Sequence, residues 1–326
     1  HPSQAIFMTA GRLDPRAVQS VIAEQVLAKL EGKAPRLVPG LASYWDTPKE
    51  TTFLVPSPTA RDDEHGVQFA WLLGEAANPM AYCRAHLLET GLIGDASAPV
   101  MRAMESAGYG RPSDLNGFDA SYRQMLFHLG MAGLTQQEIA PAKKLIWDAL
   151  ESSAERGVPQ AALEAALRDF RFSQREVKGG GVPHGMRKLL HALPLAMADA
   201  DPMPAFDNEA TLAQLDEEIK DPAFFKSLVR ELLDAPTRLA AEVKPDAGYF
   251  KKRQKIEDER LAARQSSLSE EEAARIQADA AALLARQREP QNNDALPRIR
   301  PQDVSPEPRK PFPLPERDGR AVGLTI

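Results

Sequence analysis

Cysteine is nearly missing: Cys83 stands alone in 326 residues. That excludes an internal disulfide and any cysteine-based zinc cluster, and it fits a reducing compartment. There is no surplus of positive charge either. A formal charge of -6 offers nothing to drive counterion release from nucleic acid, and no polybasic run suits a membrane surface, so neither is expected as a partner. The phosphate-cradling pattern G-x-x-x-x-G-K-[ST] is absent, as is a G-x-S-x-G nucleophile elbow. Gly179-Gly180-Gly181 is followed by Val-Pro-His and reads as a loop. The start, His1-Pro2-Ser3-Gln4, lacks an initiator Met, a signal peptide and a transit segment. We therefore expect an interior piece of a longer polypeptide, cytoplasmic, with any targeting signal upstream of His1.

What is present is an ordinary globular balance, 43% apolar and 26% charged, enough to bury a core and spread over about two domains. The apolar run Ala5–Ala10 ends at Gly11. Asp14-Pro15 then opens a helix carrying Val18, Val21, Ile22, Val26, Leu27 and Leu30 at helical spacing. A lone strand and helix cannot bury their apolar faces, so their sheet must come from elsewhere. The Pro- and Gly-containing stretch 34–46 reads as a linker.

A second unit follows. Strands are expected at 51–55, 66–73, 121–130 and 238–244, and helices near 80–90, 99–107, 137–155, 159–176, 185–197, 209–220 and 222–233. Strands separated by helix pairs argue for an α+β layer fold with an antiparallel-rich sheet and helices packed on one face. From Asp246 to Glu289 charge of both signs rises sharply. Ser269-Glu270-Glu271-Glu272 is a capping box, which predicts a helical hairpin turning between 266 and 269. Ile256, Leu261, Ile276, Leu283 and Leu284 form a narrow apolar stripe that must pack on the partner arm or on another domain. Prolines at 297, 301, 306, 308, 311, 313 and 315 make the tail an extended linker.

Metal chemistry requires closely spaced His or carboxylate ligands, which a helix supplies at i and i+4. Arg61-Asp62-Asp63-Glu64-His65 matches H-x-x-E-H only at its last two residues, and arginine cannot be a ligand. His86-Leu87-Leu88-Glu89-Thr90 lies on a helix and reproduces His-x-x-Glu, but it puts Thr90 where a second histidine would stand. Glu164 could in principle add a carboxylate; threonine remains a poor zinc ligand. His128 falls on a strand pattern, and His184 and His191 flank a helix start; lone histidines of this kind are usually satisfied structural residues. Cys83 on an apolar helix face is a small core residue.

Glu64-His65-Gly66-Val67 through Trp71-Leu72-Leu73-Gly74, then His86 to Pro99, resemble the second, non-catalytic domain of presequence-protease-like members of the pitrilysin/insulinase family of zinc metallopeptidases. Leu193-Pro194, Asp221-Pro222-Ala223-Phe224-Phe225, the charged hairpin and Leu296-Pro297-Arg298-Ile299 are similar to later landmarks of the same group. The opening His1-Pro2-Ser3-Gln4-Ala5 resembles the start of the last strand of the preceding catalytic domain. The resemblance implies a parent enzyme of two bowl-shaped halves joined by the hairpin. It implies zinc held by an H-x-x-E-H motif in the first domain, outside this chain, and a diverged repeat here whose zinc helix has degenerated at His86, Glu89 and Thr90. No catalytic, cofactor or metal residue is then carried over. The chain would comprise the end of domain one (1–35), domain two (36–245), the hairpin (246–290) and a Pro-rich linker (291–326). Its role would be chamber wall, peptide-holding surface and hinge, and its partners peptide substrates, the catalytic domain and the second half of the same polypeptide. The alternatives are a non-catalytic scaffold with the same fold, or a free-standing metalloenzyme built on His86, Glu89 and Glu164.

Overall fold

The computed structural model describes residues 2–30, 32, 35–177, 181–290, 296, 298–304, 316–317 and 320–321. It divides into two compact units, His1–Lys255 and Ile256–Ile326. No helix among the described residues is long and apolar enough to cross a membrane.

The first unit is an α+β layer built on a six-stranded sheet. Strands β1 (Lys49–Pro56), β2 (His65–Glu75), β3 (Arg111–Pro112), β4 (Gly117–Asp119), β5 (Gln124–Leu134) and β6 (Arg238–Asp246) run in the order β1-β6-β2-β5-β3, and β4 also pairs with β5. Every pairing is antiparallel except β1 with β6. Side chains alternate across a strand, so Val67, Phe69 and Trp71 of β2 and Phe127, Leu129 and Met131 of β5 share one buried face. Helices α2 (Pro79–Ile93), α4 (Ile139–Arg156) and α8 (Phe224–Asp234) join the same core. In α4, Ile139, Ala142, Ile146, Leu150 and Ala154 recur at helical spacing and are all buried. α3 (Pro99–Glu105), α5 (Gln160–Arg175) and α7 (Glu209–Glu218) complete the layer. α6 (His184–Met197) buries Ala192 and Leu195. The opposite sheet face presents Gly66, Gln68 and Ala70 beside His128, Gly130 and Ala132. Gly91 of α2 has a packing reason: a Cβ there would lie 2.5 Å from the Phe225 ring.

The start of α2 shows how local chemistry sets an element. Asn78 Oδ1 accepts from the backbone N–H groups of Met80 and Ala81, at 3.0 and 3.1 Å, and Pro79 occupies the first turn, where no N–H is needed. Asn78→Ala is expected to lower the unfolding free energy by about 1 kcal/mol in urea titrations; a change within about 0.3 kcal/mol would mean the cap contributes nothing.

Several expectations are corrected. Residues 5–10 form no strand, and α1 (Pro15–Gln25) has no buried residue. The third strand runs to Leu134 rather than stopping at 130. The linker 34–46 is lashed down: Arg36 pairs with Asp199 at 2.9 Å, Arg123 donates to the Pro39 carbonyl, Ala42 N donates to Gln124 Oε1 at 2.5 Å, and Trp45 N donates to Thr237 Oγ1 at 2.8 Å. These side chains satisfy groups that a free linker would leave to water.

α9 (Tyr249–Ser266) crosses the boundary between the units, and α10 (Glu270–Arg288) lies in the second. The capping box is present as expected, with Glu272 N donating to Ser269 Oγ and Ser269 N donating to Glu272 Oε2. The stripe does not pack: Ile256, Leu261, Ile276, Leu283 and Leu284 are all exposed. In the tail, Pro301–Asp303 forms one 3₁₀ turn, and β7 (Glu316–Arg317) pairs with β8 (Arg320–Ala321) where only extended chain was expected. The prolines at 297, 306, 308, 311, 313 and 315 lie outside the described residues.

Candidate functional site

α2 is the element on which a metal site could have been built. Its buried side is Cys83, Ala85, Leu87, Leu88, Leu92 and Ile93, which leaves His86, Glu89 and Thr90 on a half-buried flank. His86 Nδ1 lies 3.7 Å from Glu89 Oε2, so the His-x-x-Glu spacing does bring the two side chains together. Each is already engaged. The His86 ring packs 4.4 Å, centroid to centroid, from Phe170 of α5 and 6.1 Å from Phe118 of β4. Glu89 Oε1 accepts from the Phe118 N–H at 3.4 Å, and Thr90 Oγ1 donates to the His86 carbonyl at 2.9 Å.

Gly117 completes this arrangement. Its φ of +125° is reserved for glycine, and a Cβ there would stand 2.3 Å from Glu89 Oε1. The carboxylate thus occupies space that a side chain on β4 would fill. Tyr82, one turn before His86, packs edge-on to Phe118 at 5.3 Å, and burial pushes its phenol above the ordinary value. The surroundings of His86 are therefore aromatic, where a metal site needs further oxygen or nitrogen ligands.

Glu164 does not supply one. It lies on the exposed side of α5 and accepts from Gln160 Nε2 at 3.3 Å. Among the described residues no group of three or more His, Cys, Asp or Glu could hold a metal ion. Zinc does not fit His86, Glu89 and Thr90: the threonine hydroxyl is tied to the backbone, the carboxylate to β4, and the imidazole lies between two phenyl rings.

The other candidates scatter. In 61–65, Arg61 pairs with Asp63, Glu64 accepts from Ser57 and Thr59, and His65 Nδ1 lies 2.9 Å from the Asp62 carbonyl oxygen, so the cluster is internally satisfied. His128 does sit on a strand, β5, but Nδ1 of His128 and Nδ1 of His184 are buried with no hydrogen-bond partner among the described residues, contrary to the expectation of satisfied histidines. Burial holds His128 below the ordinary imidazole value, with Asp119 opposing the shift. His184 starts α6, whereas His191 falls inside it rather than flanking its start. Cys83 is 2% exposed, and burial pushes its thiol up to about 11, which keeps it protonated and unreactive. Of the glycine triplet only Gly181 falls among the described residues. Phe118, Phe170 and Gly117, which decide what His86 and Glu89 can do, escaped the sequence reading because they come from other elements and match no motif.

Comparison with known proteins follows this geometry. A family described as associated with M16 peptidases of subfamily C matches residues 243–322. Mitochondrial presequence protease of Xenopus tropicalis is 24% identical over 98% of this chain and 31% of its own length. Presequence protease 1, chloroplastic/mitochondrial, of Arabidopsis thaliana is 24% identical over 82% of this chain and 26% of its own. The chain thus spans about a third of the length of the curated relatives it matches. Among solved structures, a Helicobacter pylori protease superposes with a TM-score of 0.54 at 12% identity, covering 72% of this chain and 53% of that one. A predicted insulinase-family protease from Yersinia pestis gives 0.51 at 16% identity, over 72% and 50%. The resemblance read from the residues between Glu64 and Pro99 therefore extends along nearly the whole chain, and the α+β fold is shared with solved proteases of that kind.

Proposed function

We propose that this chain is the non-catalytic α+β domain and helical hairpin of a larger peptidase of the presequence-protease type. In that reading 36–245 is the domain, 1–35 the end of a preceding catalytic domain, 246–290 the hairpin, and 291–326 a linker toward a second half. The observation that carries it is α2: a helix with His-x-x-Glu at the right spacing, whose next residue is Thr90 and whose carboxylate is held by β4. A diverged copy of a zinc helix leaves that remnant.

The parent would hydrolyse peptides with zinc supplied by its other domain. This chain would contribute wall, peptide-holding surface and hinge, and hinge motion can gate substrate entry. The sheet face opposite the helices supports a wall role, because Gly66, Ala70, Gly130 and Ala132 leave a floor of small side chains that an extended peptide could approach closely.

The chain should neither cleave peptides nor hold zinc. After incubation with zinc and dialysis, plasma emission spectrometry should find less than about 0.1 zinc per chain, whereas a built site of three protein ligands would hold about one. A fluorogenic peptide incubated with the chain alone should stay intact. Stoichiometric zinc, or cleavage abolished by His86→Ala, would overturn the reading in favour of a free-standing metalloenzyme. A gene that encodes no H-x-x-E-H upstream of His1 would instead favour the scaffold.

A further inference from the structure

A cleft of about 280 Å³ opens beside the first turn of α2, between that turn, α6 and the 3₁₀ turn Met203–Ala205. Its walls are largely apolar, from Ala76, Pro79, Leu195, Pro204 and Ala205. The volume sits near the lower end for small-molecule sites, in which a mainly apolar lining fits the ligand body and a few polar groups orient it. Of the polar side chains along the wall, Gln174 is held by Lys188 and Ser121 by Asp119. Tyr82, His191 and Asn208 remain, and none of these three side chains has a hydrogen-bond partner among the described residues, although Tyr82 also packs on Phe118 and Phe170. Polar groups in a half-closed cleft are costly to leave without partners.

We infer that this cleft binds a neutral aromatic ring carrying one hydrogen-bonding group. The shape of the claim comes from the lining. Alanine, proline and leucine side chains favour a flat apolar body, and the hydroxyl, amide and imidazole offer donors and acceptors to a single polar substituent. Neutrality follows from what the lining lacks. Lys188, the cation next to the cleft, already donates to Gln174 Oε1 at 3.3 Å. No Asp, Glu, Lys or Arg among the described residues lines the cleft, so an ionised ligand would lose water without gaining a counter-charge. The phenol of Tyr82 and the thiol of Cys83 are both pushed upward by burial and stay protonated near neutral pH. His191 is held below the ordinary imidazole value, first by desolvation and then by Lys188 and Arg187, and so stays uncharged there as well. This chemistry has two sources, a free phenol-like molecule or the side chain of a peptide residue such as tyrosine.

Fluorine NMR on the whole chain tests it with 4-fluorophenol as the probe. The probe's signal should broaden and shift with a dissociation constant of about 1 mM, as expected for a ligand of so few atoms. Leu190→Trp, at a position on the rim that is 52% exposed, should weaken binding about tenfold or more by covering the mouth without touching the core. Tyr82→Phe should weaken it roughly threefold through loss of one hydrogen bond. 4-Fluorobenzoate should bind more weakly than the phenol. Displacement of the probe by acetyl-Gly-Tyr-Gly-amide would assign the cleft to a peptide side chain; retention of the probe would assign it to a free aromatic molecule. No binding at about 10 mM probe, unchanged affinity in Leu190→Trp, or tighter binding of the benzoate would each overturn the inference. None of these outcomes depends on whether the parent is a peptidase.

Discussion

Trp71→Ala is expected to lower the unfolding free energy of the first unit by about 3–5 kcal/mol, a third or more of the stability of an ordinary domain. Trp71 is fully buried in the middle of β2, with its ring 5.8 Å from Phe69 and 6.1 Å from Phe127. Deleting the indole removes contacts on both sheet strands and leaves a cavity that a six-stranded sheet cannot collapse to fill. A second loss is polar. Trp71 Nε1 donates to the Leu232 carbonyl at 2.9 Å, near the C-terminal end of α8, where carbonyls lack partners in the helix. Without the indole that oxygen keeps only a long bond of 3.4 Å from Ala235 N. Trp71→Phe separates the two effects: it restores most of the volume but not the donor, and should cost about 1–2 kcal/mol. Urea unfolding followed by circular dichroism reads both variants. Trp71→Ala within about 1 kcal/mol of the parent chain would mean that β2 is not anchored to α8 in this way.

Much of this architecture was legible because it rests on local periodicity. The apolar spacing through Ile146 and Leu150 defines α4, the alternation Val67, Phe69, Trp71 defines β2, and Ser269 with Glu272 defines the start of α10. What escaped depends on partners far away in sequence. β1 pairs in parallel with β6, close to the other end of the unit in sequence, and no local pattern specifies that choice. β3 and β4 are two and three residues long, too short to carry a period. Residues 5–10 have strand-like composition, but extended chain becomes a strand only where a neighbour accepts its hydrogen bonds. The site divides in the same way. The His86–Glu89–Thr90 spacing is readable from the chain alone; that Phe118 and Phe170 enclose the imidazole and β4 holds the carboxylate is visible only once three elements have packed.

Gly117→Ala should be the most informative change at the degenerate helix, destabilising the first unit by about 2–4 kcal/mol through two separable causes. One is backbone strain, because a φ of +125° is hardly accessible to a residue with a Cβ. The other is displacement of Glu89, whose Oε1 would lie 2.3 Å from the new methyl. A double-mutant cycle with Glu89→Ala tells them apart, since truncating the carboxylate opens the space but cannot relax φ. Gly117→Ala should therefore cost about 1 kcal/mol less in the Glu89→Ala background than in the parent chain, while the strain persists in both. Additivity within about 0.3 kcal/mol would mean that Glu89 does not sit against β4, and the carboxylate would then be free for other partners. Coupling of the expected size places Glu89 in a structural contact between α2 and β4. Under that result, restoring a histidine at position 90 would not by itself rebuild a zinc site: the glutamate would still be held by the Phe118 N–H, and His86 would still lie against Phe118 and Phe170.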